Sequence, residues 1–226
     1  MTKKSLARLL WPRYSFSLDT LNRNAQMFSR IRDYEKSSSV AMFPNRVELY
    51  AAVNSRTGNA SITYLEFGVW NGASLKDWTI INTSPDSRFY GFDSFEGLPE
   101  AWDHGFGHKT GKDRFTLGGE LPRLSDPRIR LIKGWFQDSL AGFLTETELS
   151  HPITVHIDCD LHSSAMFVLA TLNPHLRAGD VIIFDEFTSP ANEFLAWEEY
   201  QRAFLRKAEC VAMSDRWSQV AFALQR

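Results

Sequence analysis

Short apolar runs that alternate with helix-like segments are the feature that most limits how this chain can fold. Each run has four to eight residues and is followed by a polar turn or a helical pattern. This rhythm predicts βαβ units, and hence an α/β fold with a mostly parallel sheet and helices on both faces. Ligands of such sheets bind at the carboxyl ends of the strands, so functional residues are expected just after each run. The runs are ITYLEFGV (62–69), RFYGF (88–92), IRLI (129–132), ITVHI (153–157) and DVIIF (180–184).

The rest of the chain is assigned around this central pattern. Residues 1–56 read as a polar, helical extension with breaks at SSS (37–39) and Pro44, and residues 57–226 read as one compact domain. The runs ECVAM and SQVAFAL near the carboxyl end are expected to close the sheet as a hairpin. Residues 94–125 are rich in Gly, Pro and aromatic residues and are interpreted as a partly ordered wall or lid over the site.

Composition excludes several classes of partner. The net charge of −2 implies no large basic surface, so nucleic acid is not expected as a partner. No apolar run reaches the length of a membrane span, and the start MTKKSLARLL reads as a short amphipathic helix rather than a signal peptide or membrane anchor. Cys159 and Cys210 form neither a metal-type pair nor a disulfide framework, which predicts a cytoplasmic location.

The first run ends in a glycine-containing turn that suggests a nucleoside site. Glu66, Gly68 and Gly72 fall in this turn, where glycine lets the backbone bend tightly and approach a ligand. The next run ends at Asp93, where an acid can accept hydrogen bonds from both ribose hydroxyls. Trp70 replaces the second glycine of a dinucleotide fingerprint, and Glu66 would repel a pyrophosphate. The turn therefore favours S-adenosylmethionine, which has a ribose and positive charge but no phosphate; the alternative is a mere tight turn followed by a solvated strand end.

Carboxylates follow two further runs and suggest a metal site. Asp158 ends the fourth run, and Asp185 and Glu186 end the fifth. If these strands are neighbours about 4.8 Å apart, the three acids meet at one edge and repel one another unless a proton or a cation bridges them. Oxygen ligands suit Mg²⁺, Mn²⁺ or Ca²⁺ rather than zinc, and such a cation would lower the pKa of a substrate hydroxyl. Asp160 is then available as a base for the hydroxyl proton, although these acids could instead only cap the following helices.

The chain resembles the macrocin O-methyltransferase family, whose members are class I, metal-dependent S-adenosylmethionine methyltransferases acting on sugar hydroxyls of antibiotics. The resemblance covers residues 62–187 and rests on the segments YLEFGVWNGASL, FYGFDSFEGLPEAW, GWFQDSL, HIDCDLHSS and AGDVIIFDEF, in that order. It implies a Rossmann-like class I methyltransferase fold with a seven-stranded sheet. It also implies a homo-oligomer and Mg²⁺, or Mn²⁺, at the acceptor.

The resemblance assigns roles to individual residues. It places the cofactor turn at Glu66, Gly68 and Gly72, the ribose at Asp93 and Ser94, and the adenine edge at Gln137, Asp138 and Ser139. It makes Asp158, Asp185 and Glu186 the metal ligands, so that Asp158 and Asp160 are the catalytic pair, with Asp160 as the base. The sequence departs from the family pattern at His162, Glu186 and Phe187, where Tyr, Asp and Tyr are usual. These departures keep the charge of the acid cluster but leave the acceptor pocket undefined.

The sequence therefore predicts a divalent-metal-assisted O-methyltransferase that acts on a hydroxyl of a small molecule. By resemblance, that hydroxyl belongs to a sugar of a natural product or glycan. One alternative takes DCD (158–160) as the D-x-D motif of a metal-dependent glycosyltransferase, but it leaves Glu66, Gly72 and Asp93 unexplained. A second alternative is a non-catalytic S-adenosylmethionine-binding domain, against which the complete set of acids argues.

Overall fold

Helices cover both faces of a central sheet in this structure, which is a computed structural model. It describes residues 3–37, 40–105, 108–214 and 217–225, and for residues 3–17 it describes the backbone alone. Among the described residues, no helix is both long enough and apolar enough to cross a membrane. The helices are α1 (Lys3–Glu35), α2 (Arg46–Arg56), α3 (Ala73–Ile81), α4 (Phe136–Glu146), α5 (His162–Leu172) and α6 (Glu193–Ala203), with a 3₁₀ turn at Asn173–His175.

Eight strands form the central sheet, and two more form a separate hairpin in the long connection. The strands are β1 (Ala41–Phe43), β2 (Thr63–Phe67), β3 (Arg88–Asp93), β4 (Trp102–Gly105), β5 (His108–Thr110), β6 (Ile129–Lys133), β7 (Ile153–Ile157), β8 (Val181–Phe184), β9 (Ala208–Ser214) and β10 (Val220–Leu224).

The strand order of the sheet is β1-β9-β10-β8-β7-β2-β3-β6. Neighbours from β6 to β8 are parallel, and β10 runs antiparallel to both β8 and β9. The predicted α/β fold, its mostly parallel sheet and its closing hairpin are confirmed. All seven predicted strands are present, and β1 adds an eighth by pairing in parallel with β9. Strand β1 was not predicted, because three largely exposed residues are too few to produce an alternating pattern.

Side chains alternate between the two faces of the sheet. On one face, Val155 and Ile157 of β7 pack in a core cluster with residues of α1, α4, α5 and α6. On the other face, α2 and α3 supply a second cluster that includes Tyr50 and Trp78. Because His156 lies between Val155 and Ile157, its side chain is directed toward α2 and α3. The same alternation applies to β2 and β8, so the polar residues of neighbouring strands meet on the α2–α3 face.

The segment predicted as a helical extension contributes to both core clusters. The second half of α1 buries Met27 and Ile31 against one face, and α2 buries Leu49 against the other. The break predicted at Pro44 lies just before α2, which is capped by Asn45. Of the break predicted at residues 37–39, residues 38 and 39 lie outside the described part of the chain.

The long connection at residues 94–125 is largely ordered. It contains the β4–β5 hairpin, although residues 106 and 107 lie outside the described part of the chain. The Leu98 amide donates a hydrogen bond of 2.7 Å to the carbonyl of Lys112, and Phe95 is fully buried. These contacts hold the start of the connection against its later half, which agrees with the predicted ordered wall beside the site.

Candidate active site

Three parallel strands end at the same level and bring the predicted residues to one edge of the sheet. The register pairs Phe67 with Ile157, and Ile157 with Phe184. The next residues are therefore neighbours too: the Asp158 amide donates to the Phe67 carbonyl, and the Asp185 amide donates to the Ile157 carbonyl, both at 2.9 Å. The adjacency of Asp158 and Asp185, on which the predicted metal site depends, is confirmed.

The glycines of the first turn are required by close packing. Gly68 has φ +98°, and a Cβ on it would lie 1.7 Å from the carbonyl oxygen of Asp158, so no other residue fits there. Gly72 has φ +76° and precedes α3, where a Cβ would come within 2.8 Å of the Leu124 side chain. Gly68 therefore lets the turn lie directly against the end of β7.

A cavity of about 300 Å³ opens at this edge of the sheet. Among the predicted site residues, those that line it are Gly68, Asp93, Ser94, Gln137, Asp158 and Asp160. The predicted residues that are absent from its lining are Glu66, Gly72, Asp138, Ser139, Asp185 and Glu186. Its other walls come from the start of α2, the glycine turn, the long connection and the β7–α5 turn, and include Arg46, Trp70, Ser74, Phe115 and Trp135.

The Asp93 carboxylate organises the glycine turn. One oxygen accepts hydrogen bonds from the amides of Val69 and Trp70, both at 2.8 Å, and the other accepts from the Phe95 amide at 2.7 Å. These bonds hold Trp70 at φ +46°, an uncommon conformation for a bulky residue. Asp93 thus joins the end of β3 to the turn, and Ser94 beside it donates a hydrogen bond to the Gly97 carbonyl.

The stretch predicted to contact adenine reaches the cavity through only part of its length. Trp135 and Gln137 line the cavity at the start of α4. Asp138 is exposed, and the Ser139 hydroxyl donates to the Trp135 carbonyl at 2.9 Å. The Ser139 hydroxyl therefore stabilises the first turn of α4, and neither Asp138 nor Ser139 lines the cavity.

Glu66 lies one layer behind the cavity wall rather than in it. Its carboxylate is fully buried and accepts hydrogen bonds from the Ser74 hydroxyl at 2.7 Å and the Tyr64 hydroxyl at 2.6 Å. Ser74 does line the cavity. The sequence predicted a direct contact between Glu66 and a cationic ligand; the structure instead places the alternate residues of β2 on the α2–α3 face, where Glu66 is enclosed.

His156, Asp158 and Asp185 form a compact group whose possible ligand atoms all lie within 4.8 Å of one another. Burial, and then the neighbouring Asp185 charge, raise the pKa of Asp158 well above its ordinary value. Burial lowers the pKa of His156, but its hydrogen bonds to Asp185 and Glu66 outweigh that effect and raise it to about 10. Burial also opposes the charge of Asp185, yet the hydrogen bond from His156 and the guanidinium of Arg46 lower its pKa. Arg46 lies 4.0 Å from Asp185.

Glu186, which is predicted to be a third ligand, lies outside this compact group. Burial and the Asp185 charge raise the pKa of Glu186 to about 7. Burial, together with the charges of Glu186 and Asp185, raises the pKa of Asp160 to about 7 as well. The carboxylates therefore divide into the pair inside the compact group, Asp158 and Asp185, and a second pair, Asp160 and Glu186, whose pKa values are both raised to about 7.

Asp160 does not cap the helix that follows it. Helix α5 has Leu161 at its N-cap position, and no side chain caps it. Asp160 instead occupies a tight turn at φ +65°. Its amide, and those of Cys159 and Glu186, donate to the buried carboxylate of Glu193 at 3.0–3.3 Å. The structural alternative for Asp160 is therefore wrong, and Glu193 is the residue that shapes its turn.

Several residues of the site gave no signal in the sequence. Arg46 lies in the segment predicted as a helical extension, and Glu193 lies in the first turn of α6, where no motif marks it. His156 lies within the predicted run ITVHI, and both of its ring nitrogens have partners. His162, one of the departures from the family pattern, pairs with Glu199 at 2.7 Å and does not line the cavity.

Comparison with known proteins places these features in a family. The profile described as Macrocin-O-methyltransferase (TylF) matches residues 50–215, which is most of the chain. This segment includes the glycine turn, the long connection and all of the acids described above.

Two named relatives and one solved structure illustrate the similarity. The chain is 27% identical over 143 residues to an 8-demethyl-8-(2,3-dimethoxy-alpha-L-rhamnosyl)-tetracenomycin-C 4'-O-methyltransferase of Streptomyces olivaceus, covering 56% of this chain and 53% of the relative. It is 25% identical over 158 residues to a demethyldecarbamoylnovobiocin O-methyltransferase of Streptomyces niveus, covering 62% and 58%. Each match thus spans little more than half of the relative. A crystal structure of the calicheamicin methyltransferase CalS11 shares the fold, with a TM-score of 0.64 at 20% identity over 78% of this chain and 77% of that one.

Proposed function

Because the chain belongs to the macrocin O-methyltransferase family, we propose that it transfers the methyl group of S-adenosylmethionine to a hydroxyl of a small molecule. The observation that carries this proposal is one cavity shared by Gly68 and Asp93 on one side and Asp158 and Asp160 on the other. Methyl transfer needs the donor carbon and the acceptor oxygen held in line, and adjacent halves of one cavity meet that need.

The half of the cavity beside the glycine turn fits the cofactor. The Gly68 backbone approaches without a side chain, and Trp135 offers an aromatic wall for a base. The Asp93 carboxylate accepts three amide hydrogen bonds, whereas a carboxylate has about four acceptor sites, so it retains capacity for a ribose hydroxyl. Asp93 would thus both shape the turn and orient the ribose.

The other half fits a divalent cation held by Asp158 and Asp185. The Asp158 carboxylate lines the cavity and accepts no hydrogen bond from any residue that the structure describes. The Asp158 side chain is only partly buried, and the buried carboxylate of Asp185 lies beside it. Two adjacent carboxylates repel each other, and a hard cation with oxygen ligands compensates that repulsion. Mg²⁺ or Mn²⁺ bound there would lower the pKa of the acceptor hydroxyl.

Asp160 is proposed as the base that accepts the hydroxyl proton. It lines the same cavity two residues beyond Asp158, and its pKa of about 7 lies near the value at which a general base is most effective. The Glu193 carboxylate holds the backbone of Asp160 by its amide, so the side chain is presented from a fixed turn.

The proposed acceptor is a sugar hydroxyl of a natural product. One relative is named as a 4'-O-methyltransferase of a rhamnosyl tetracenomycin C compound, and the other as an O-methyltransferase of demethyldecarbamoylnovobiocin. The D-x-D interpretation as a glycosyltransferase is not favoured, because it leaves the shared cavity with Gly68 and Asp93 unexplained.

Calorimetry with S-adenosylhomocysteine, a UDP-sugar and NAD tests the cofactor. S-adenosylhomocysteine alone is expected to bind, and Asp93→Ala should weaken it at least tenfold, since it removes the ribose acceptor and the support of the turn. Asp86→Ala, an exposed acid just before β3 at the opposite end of the sheet, is the control and should bind normally. Binding of the UDP-sugar instead would replace the proposal.

Transfer of a labelled methyl group to deoxysugar-bearing acceptors tests the reaction and the cation together. Activity should require Mg²⁺ or Mn²⁺ and should be lost in EDTA, with recovery when the cation is returned. Undiminished transfer in EDTA would remove the cation from the proposal and leave Asp160 as the activating group.

A further inference from the structure

Helix α1 has a second apolar side that faces solvent. The helix packs on the domain through Met27 and Ile31, each of which is only 1% exposed. Leu18, Leu21 and Phe28 instead keep 59%, 53% and 45% of their surface exposed. At 3.6 residues per turn these three lie about a third of the way around the helix from the packed side. They therefore form a separate surface and are not the rim of the core contact.

This surface has the spacing of a coiled-coil contact. Ala25 is exposed as well, and together with the three larger side chains it forms what we call the exposed stripe: Leu18, Leu21, Ala25 and Phe28. Its members are three and four residues apart in alternation, which are positions a and d of a heptad repeat. In the sequence the same spacing continues toward the start of the helix, at Tyr14 and Trp11. Such a narrow stripe is typical of contact with one other helix.

The positions that flank the exposed stripe carry no charge. They are serines and asparagines: Ser15, Ser17, Asn22, Asn24 and Ser29. The neighbouring charges Asp19 and Arg23 pair with each other on the same helix at 3.0 Å. A helix that lies on a membrane surface carries Lys and Arg on its polar face, whereas small uncharged flanks let a second helix approach closely. The occupant that fits the stripe is therefore a helix of matching pattern.

A second copy of α1 is such a helix, and the charges of the sequence favour an antiparallel pair. The 18 residues before Asp19 include basic residues and no acid, whereas Asp33 and Glu35 lie near the end of the helix. Parallel helices would bring the two basic ends together. Antiparallel helices place each basic end beside the end of the other helix, where the acids and the negative end of the macrodipole lie. A two-fold axis near Leu18 and Leu21 then sets a positions against d positions.

We propose that α1 is an interface between two copies of this chain, which pair in antiparallel orientation along the exposed stripe. A contiguous apolar surface of this kind is unusual on a monomer and typical of an interface. The matched family profile begins at residue 50, so α1 lies outside the segment that defines the family. No residue of α1 lines the cavity described above, so the inference does not depend on the proposed function.

Sedimentation equilibrium of the wild type and Leu21→Glu tests the interface. The wild type should have twice the chain mass of 25.9 kDa. Leu21→Glu should weaken dimerisation at least about 100-fold, because a carboxylate from each copy would be buried at the centre of the contact. Its affinity for S-adenosylhomocysteine should equal that of the wild type, which shows that the variant is folded. Ile80→Glu introduces the same charge on α3, at a site that is 75% exposed, and should remain a dimer.

Three results would overturn the proposal. The first is a wild-type protein that stays monomeric at tens of micromolar, and the second is a Leu21→Glu variant that dimerises as the wild type does. The third is a monomeric wild type that binds vesicles containing phosphatidylglycerol and loses that binding in Leu21→Glu, because the occupant of the stripe would then be a membrane surface.

A spin label at Asp33→Cys tests the orientation of the helices. Asp33 is exposed, whereas the two native cysteines, Cys159 and Cys210, are buried and should not react. In an antiparallel dimer centred between Leu18 and Leu21, the two labels should lie about 40 Å apart, at 1.5 Å per residue along the helices. Parallel helices would bring them within about 20 Å of each other, since paired helix axes are 8–10 Å apart. Double electron–electron resonance measures this distance, and the short value would overturn the antiparallel pairing.

Discussion

The role of Asp160 can be tested with one substitution because its backbone conformation and its charge are both known. Its φ of +65° lies in the left-handed region, which Asn and Asp tolerate better than most residues. Substitution by Asn therefore preserves the turn and removes only the ability to accept a proton. The Asp160→Asn variant therefore distinguishes a catalytic role of the carboxylate from a role in holding the turn.

For Asp160→Asn we expect a rate loss of about 10²–10⁴-fold, the usual contribution of a general base. Binding of cofactor and Mn²⁺ should persist, and the melting temperature should stay close to that of the wild type. The wild-type rate should fall as pH decreases through a value at or below about 7, because protonation removes the base and a bound cation lowers the pKa further. Steady-state rates measured across pH, with Asp86→Asn as control, test this; a near-wild-type rate would leave Asp160 without a catalytic role.

Arg46 is the second residue whose effect can be isolated. Its guanidinium lies 4.0 Å from Asp185 and lines the cavity, so it competes with any cation for the same negative charge. Arg46→Gln should therefore tighten Mn²⁺ binding about 2–10-fold, since repulsion between like charges is relieved and is only partly screened at this depth.

The control for Arg46→Gln is Arg56→Gln, an exposed position at the other end of α2. It should leave Mn²⁺ affinity unchanged at the same ionic strength. Weaker binding in Arg46→Gln would mean that the guanidinium organises the acids rather than competing with the cation.

At the scale of elements, Glu193 joins two turns that belong to different βα units. From the first turn of α6 its carboxylate accepts amides of Cys159 and Asp160 after β7, and of Glu186 after β8. Burial and then the Asp160 charge raise the pKa of Glu193 well above the ordinary value, and the hydrogen bond from the Glu186 amide partly offsets that effect. The turns that carry Asp160 and Glu186 are thus held by helix α6, which supplies none of the proposed catalytic residues.

Glu193→Gln should destabilise the protein by about 1–3 kcal/mol, because the new amide group places a donor against backbone donors that remain buried. Glu199→Gln makes the same change at a partly exposed site on α6, where Glu199 pairs only with the side chain of His162, and should cost less than about 0.5 kcal/mol. Urea denaturation of both variants measures the difference. Equal stability of the two variants would show that water replaces the lost acceptor.

At the scale of the whole molecule, the cavity is assembled from segments far apart in the chain. Its walls come from the start of α2, the β2–α3 turn, the long connection, the start of α4 and the β7–α5 turn. A ligand that contacts all of them binds only the folded chain. Ligand binding should therefore stabilise the entire domain rather than one element.

S-adenosylhomocysteine at about 100 times its dissociation constant should add about 2.7 kcal/mol to the free energy of unfolding. For a domain of this size that corresponds to a rise in melting temperature of about 5–10 °C. Differential scanning fluorimetry measures it, with NAD as a ligand that should have no effect. An equally large shift in Asp93→Ala at the same ligand concentration would place the ligand outside the described cavity.

The local pattern of apolar residues in the sequence was sufficient to predict the strands of the sheet and the edge at which the candidate site lies. The apolar runs fixed the seven predicted strands, and their carboxyl ends brought Gly68, Asp93, Asp158 and Asp185 to one edge, because parallel strands end together. Close packing of Gly68 on β7 follows from the same register. These features depend on residues near one another in sequence and on a regular period, and so they can be predicted without coordinates.

Only the tertiary structure decided which of these side chains face the ligand and which support them. Glu66 is turned to Tyr64 and Ser74, Glu186 lies outside the compact acid group, and Arg46 and Glu193 join the site from elements with no marking motif. Tyr64 and His156 are 92 residues apart, and Tyr50 and Asp185 are 135 apart. Such pairs form because strands and helices pack, and no local period records which buried polar group will meet which partner.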